Sequence, residues 1–106
     1  MDERRKHRRF ALALPGKIAR AGGASERVQV VNASEAALLA RGSSPFTSGQ
    51  KAALAVFLPQ GPFSCEAVCV RATASPPWEG AFLFTDVEEG GRIRLAAFLK
   101  DLKGEP

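Results

Sequence analysis

The chain has 106 residues, a quarter of them charged, with a formal net charge of +4. That length allows one domain around one modest core, and an apolar fraction of 45 % excludes a wholly disordered chain. No apolar run approaches the roughly 20 residues that span a bilayer as a helix.

The positive charge is concentrated at the start. Arg4-Arg5-Lys6-His7-Arg8-Arg9 puts five cations into six positions, and with Asp2 and Glu3 the first ten residues carry +3 of the net +4. Such a local knot suits one compact polyanion better than a long nucleic acid. The basic run followed by Phe10-Ala11-Leu12-Ala13-Leu14 imitates a secretory leader. Its apolar part ends too soon, at Pro15-Gly16, and no cleavage site follows, so a cytoplasmic protein is expected. Residues 1–9 are read as a flexible basic segment, and 10–103 as a single domain.

Residues 10–21 read as a first strand, with Leu12, Leu14, Gly16 and Ile18 on one face at period two. Pro15 marks a bulge or an edge there. Ala21-Gly22-Gly23-Ala24-Ser25 is a turn, because paired glycines reach positive φ without steric cost. Residues 26–32 form a second strand, with Val28 and Val30 on one face and Gln29 and Val31 on the other. Asn32-Ala33-Ser34-Glu35 is a polar turn in which Asn32 and Ser34 can bond nearby backbone groups. Residues 37–41 make a brief third strand, and a loop from Arg41 runs to Gly49.

A fourth strand covers 50–58, and Pro59-Gln60-Gly61-Pro62 reverses the chain. Residues 63–73 form a fifth strand. Ser75-Pro76-Pro77-Trp78-Glu79-Gly80 is expected as a hairpin loop, with Trp78 either a lid over the barrel end or a partner-binding tip. Residues 81–87 form a sixth strand. Six short strands at this spacing predict a mainly β fold, an antiparallel β-barrel without exposed edges. The period then changes. Leu95, Phe98, Leu99 and Leu102 fall on one helical face. Glu88 and Glu89 at the start and Lys100 and Lys103 at the end suit the helix dipole, giving one C-terminal α-helix over about 90–103.

Cys65 and Cys69 share a face of the fifth strand with Cα atoms roughly 13 Å apart, at about 3.3 Å per residue. That is too far for a disulfide, so they read as small buried apolar residues. One histidine, His7, leaves no metal-ligand set. No nucleophile–base arrangement, phosphate loop or paired acids can be found, and no catalytic residue or cofactor is expected. A non-enzymatic binding domain remains.

Two guanidinium groups in Arg5-x-x-x-Arg9, just before the first strand, can grip phosphate or the O6 and N7 edge of guanine. Downstream, after a strand, comes Asn32-Ala33-Ser34-Glu35-Ala36-Ala37-Leu38. In this order the two pieces resemble the PilZ family of small β-barrel domains that receive cyclic di-GMP. That family carries Arg-x-x-x-Arg before the first strand and Asp/Asn-x-Ser-x-x-Gly after the second. The resemblance extends to Gly49 before the fourth strand, Val68-x-Val70, Phe84-Thr85-Asp86-Val87 and the terminal helix.

By this resemblance Arg5 and Arg9 would hold phosphates and guanine, with Asn32 and Ser34 lining the pocket. Arg4 would reach a second ligand molecule. Ala37 stands where the family has glycine, and Ala36 replaces another frequent glycine. If positive φ is needed, alanine strains the fold by about 1–2 kcal/mol. If the backbone must approach the ligand, a Cβ obstructs binding. The resemblance therefore implies a stand-alone cyclic di-GMP receptor or adaptor with an unidentified protein partner and no membrane. The alternative is a degenerate domain that binds only protein. A nucleic-acid binder is disfavoured, since no aromatic-studded strand offers base stacking.

Overall fold

Alternating inward apolar residues build six strands in the computed structural model, which describes residues 9–20 and 23–103. The strands are β1 (Phe10–Arg20), β2 (Ser25–Ala33), β3 (Ala37–Gly42), β4 (Lys51–Leu58), β5 (Gly61–Ala72) and β6 (Trp78–Val87), followed by helix α1 (Glu89–Lys103). They close into an antiparallel barrel in the order β1-β2-β3-β6-β5-β4. The expected barrel and terminal helix are both present.

Ile18, Val30, Phe63, Phe82 and Cys69 are the largest fully buried side chains, with Val28, Leu38, Leu54 and Val56 around them. Phe46 joins them from the loop after β3 and meets Phe82 edge-on at 5.4 Å. Leu95 and Leu99 of α1 are buried, Phe98 and Leu102 pack against the same core, and the helix rests mainly on β5. Arg94 fixes that seat by donating from Nε and Nη2 to the Pro62 carbonyl at 3.0 and 2.8 Å.

Two glycines are dictated by geometry. Gly49 has φ of 91°, a left-handed conformation that a side chain would strain. Gly16 sits where β1 crosses β4, and an added Cβ would lie 2.7 Å from the Ala55 carbonyl oxygen. Pro15, next to it, pairs with Gln29 of β2, while the pairing with β4 begins only at Gly16. The missing proline N–H therefore falls where β1 has one neighbour, as edge-tolerant proline requires.

Two expected loops are shorter than the sequence suggested. Gly61 and Pro62 already belong to β5, paired with Leu58 and Phe57, so only Pro59 and Gln60 turn. Trp78, Glu79 and Gly80 are not loop residues; they open β6 opposite Gly42, Arg41 and Ala40. Thr73 supplies the reason. Its N–H donates to the Glu79 carbonyl at 3.0 Å, and its Oγ1 accepts the Glu79 N–H at 3.0 Å while donating to the Pro77 carbonyl. These bonds extend the ladder to Trp78, which is partly buried.

Cys65 and Cys69 are free and buried, as expected. Burial, with a smaller contribution from Glu66, pushes the Cys65 thiol up to about 12, and burial also raises Cys69. The unfolded thiol ionises near pH 9 while the folded Cys65 stays protonated to about pH 12. Stability should therefore fall as pH rises through that window, by up to about 1.4 kcal/mol per pH unit. Urea unfolding at pH 8 and pH 10 should show a smaller fall for Cys65→Ala than for the native chain, and a thiol reagent at pH 8 should react only after denaturant is added. Gly16→Ala should cost about 1–3 kcal/mol, because β1 and β4 must part to admit the methyl group; thermal melting reads this directly.

Candidate functional site

The barrel's register brings the two polar sequence pieces together. Arg9, exposed, immediately precedes Phe10, which lies opposite Ala33; Ala11 lies opposite Asn32. The start of β1 therefore runs beside the end of β2, and the chain enters the barrel at the β2–β3 corner. Arg4 and Arg5 lie outside the described residues, as does the expected flexible segment up to Arg8.

Ser34 organises that corner. It is 3 % exposed, the one buried polar residue among those described. Its Oγ accepts the N–H groups of Ala36 at 3.1 Å and Ala37 at 3.2 Å, and its own N–H donates to the Ala37 carbonyl at 2.8 Å. This is a serine-closed turn, which satisfies amides that the chain reversal would otherwise leave bare. The Ala36 carbonyl accepts the Phe84 N–H at 2.9 Å, tying the corner to β6. Within the described chain, Ser34 spends its hydroxyl on the corner itself.

Ala36 and Ala37 carry no backbone strain, since no described residue other than glycine has positive φ. Of the two costs expected for losing glycine, the conformational one is absent. Ala37 alternates with buried Leu38 and lies opposite exposed Leu83, so its Cβ projects onto the outer surface of the sheet.

Asn32 reaches the same outer surface because of an irregularity. Strict alternation from Val28 and Val30 would turn Asn32 into the core. The register slips between Val30 and Asn32, so that Asn32 faces outward opposite Leu39 and Ala33 becomes the buried residue. The outer row Ala11–Asn32–Leu39–Ala81–Arg71 then crosses five strands. Its β3–β6–β5 end is a shallow hollow of about 190 Å³ lined by Leu39, Arg71, Ala72, Thr73, Glu79 and Ala81. Glu79 is held by Arg41, whose Nε and Nη2 donate to Oε2 at 2.9 and 2.6 Å. A second cleft of about 280 Å³, with Glu35, Ala36, Asp86 and Arg92 in its wall, lies on the other side of the corner, against β6 and α1.

Sequence periodicity missed Leu39, Ala81 and Arg71 as members of this face. Nothing in the local pattern marks them, because their common row depends on pairing between distant strands. Chemically, the face offers a small, mostly apolar floor that a flat base can cover, an amide at one end and cations at both. No group of His, Cys, Asp and Glu able to hold a metal occurs among the described residues.

Neither a protein-family model nor a curated protein sequence matches the chain. Solved structures do match. The Bacillus subtilis inhibitor of motility MotI/DgrA superimposes with a TM-score of 0.81 at 18 % identity, covering 99 % of this chain and 54 % of that protein. This chain thus spans about half of MotI. The PilZ domain of Escherichia coli YcgR, solved with c-di-GMP, gives 0.69 at 16 % identity over 95 % of both chains. The PilZ domain of CeSA from a cellulose-synthesizing bacterium gives 0.69 at 16 % identity, over 91 % of this chain and 98 % of that one. Two of these are isolated PilZ domains matched nearly end to end, and the closed barrel with its terminal helix is therefore a PilZ-like fold.

Proposed function

We propose that this chain is a cyclic di-GMP receptor domain that works as a small adaptor in the cytoplasm. The observation that carries the reading is the β1–β2 register, which sets Arg9 beside the Asn32–Ala37 corner in a barrel of PilZ-like fold. The neighbour YcgR, whose domain shares that fold, is itself solved with c-di-GMP.

In this reading Arg5 and Arg9 close over the ligand from the N-terminal side. Their planar forks suit phosphate and the O6/N7 edge of guanine. Asn32 offers an amide to the second base. Ser34 acts through the corner, holding Asn32 and Ala37 in place. Arg4 reaches a second ligand molecule where two stack. The ligand-covered face is then read by a protein partner, and no step of chemistry is required of the domain. No helix among the described residues is long and apolar enough to cross a membrane.

A second reading has its own observation. The Ala37 Cβ projects onto the outer sheet surface where glycine would leave the backbone open. A domain so altered would bind no nucleotide and serve only protein contacts.

Titration calorimetry with cyclic di-GMP separates the two. The native chain should release heat at micromolar to high micromolar ligand, and Arg5→Ala and Arg9→Ala should each weaken binding by about 1–3 kcal/mol. No heat, or heat indifferent to both substitutions, removes the receptor reading. Ala37→Gly should tighten binding by up to about tenfold while lowering stability by about 0.5–1 kcal/mol, the usual cost of glycine within a strand. Binding that appears only in Ala37→Gly would establish the second reading for the natural chain.

A further inference from the structure

Arg71 is the unexplained residue of the outer face. Period two through Ala67 and Cys69, both 1 % exposed, would send Arg71 into the barrel. It does not go there. The register of β5 against β6 slips between Cys69 and Arg71, so Val70 and Arg71 are both exposed and Arg71 lies opposite Ala81. A bulge of this kind re-aims a side chain at the cost of a regular ladder. Two of the four register slips in the barrel, those at Val30/Asn32 and at Cys69/Arg71, thus place one polar side chain each on the same outer row.

Three arginines of the described residues are committed. Arg20 lies 4.4 Å above the Phe46 ring, pairs with Glu26 at 3.0 Å and donates to Ser44 Oγ. Arg41 is taken by Glu79, and Arg94 by the Pro62 carbonyl. The Arg71 carbonyl accepts the Cys69 thiol at 3.3 Å, but its side chain makes no hydrogen bond or ion pair among the described residues, although the Glu79 carboxylate lines the same hollow. Arg41 has already engaged that carboxylate, which leaves the Arg71 guanidinium available.

We infer that Arg71 is a further ligand-binding residue, the guanidinium at the far end of the face, which takes a phosphate or guanine edge of a cyclic dinucleotide. The inference rests on the receptor reading above. Asn32 and Arg71 are separated by three strand spacings, roughly 14 Å at about 4.8 Å each. Between them lie Leu39 and Ala81, small or apolar side chains that leave a base plane room to lie flat. A ligand with two bases and two phosphates has polar groups at both ends of such a span. Arg9 and Asn32 serve one end; Arg71 stands at the other.

The test is titration of cyclic di-GMP into the native chain, Arg9→Ala, Arg71→Ala, Arg71→Lys and Arg27→Ala. Arg27 is exposed on β2 opposite Lys17 and controls for the loss of one positive charge. Arg71→Ala should weaken binding about tenfold or more, in the range of a lost bidentate contact. Arg71→Lys should recover only part of it, since ammonium lacks the planar fork, and Arg27→Ala should stay within about twofold of native. Thermal melts of each variant exclude unfolding as the cause. If Arg9→Ala weakens binding while Arg71→Ala matches Arg27→Ala, this inference fails and the receptor reading stands. If the native chain releases no heat, both fail together.

Discussion

Closure of the sheet by the pairing of β1 with β4 is the constraint on which the molecule depends. It forces two backbones close enough at Gly16 that a methyl group would collide with the Ala55 carbonyl, and it buries Ile18, Val30, Phe63 and Phe82 inside one ring. Closure also fixes where the chain enters. Because β1 is paired on both sides from Gly16 onward, its first residues can lie only beside the end of β2. The placing of Arg9 next to the Asn32–Ala37 corner is thus a result of topology, held by the whole barrel.

The candidate site is built from deviations within that regular frame. A uniform six-stranded barrel with the same sequence would bury Asn32 and Arg71, both at a prohibitive desolvation cost. The slips at Val30/Asn32 and Cys69/Arg71 relieve that cost by turning these side chains outward, both onto one row. The corner between them is stiffened by Ser34, whose buried oxygen satisfies two amides. Small side chains on the floor, Ala11 and Ala81, keep the surface low. The face is apolar in the middle and polar at its ends, which is the distribution a nucleobase and its phosphates would match.

Much of the fold was legible in the sequence because it rests on local periodicity. Leu12, Leu14, Gly16 and Ile18 announced an inward face, Leu95, Phe98, Leu99 and Leu102 a helix, and the spacing of turns a barrel. Two loops were overestimated, since Gly61-Pro62 and Trp78-Glu79-Gly80 look like breakers yet are held in strands by partners elsewhere in the chain. Within the site, the Arg and Asn-x-Ser pieces were visible as motifs, and so was the capacity of Ser34 to bond its own turn. The outward aim of Asn32 and Arg71 was not visible. Side-chain parity is a property of two strands in register, and a single strand read alone carries no mark of a slip. The absence of strain at Ala37 was equally hidden, because φ is set by the corner and not by the residue type.

One bond at the corner has a reach beyond it. The Ala36 carbonyl is held by the Phe84 amide, so the corner borrows its footing from the final strand, whose far neighbour is the cleft at the head of α1. Loosening either side strips a hydrogen bond from the other. The two faces of the corner consequently fray together or not at all, and the hinge that a short polar turn would otherwise provide is locked into a single cooperative block.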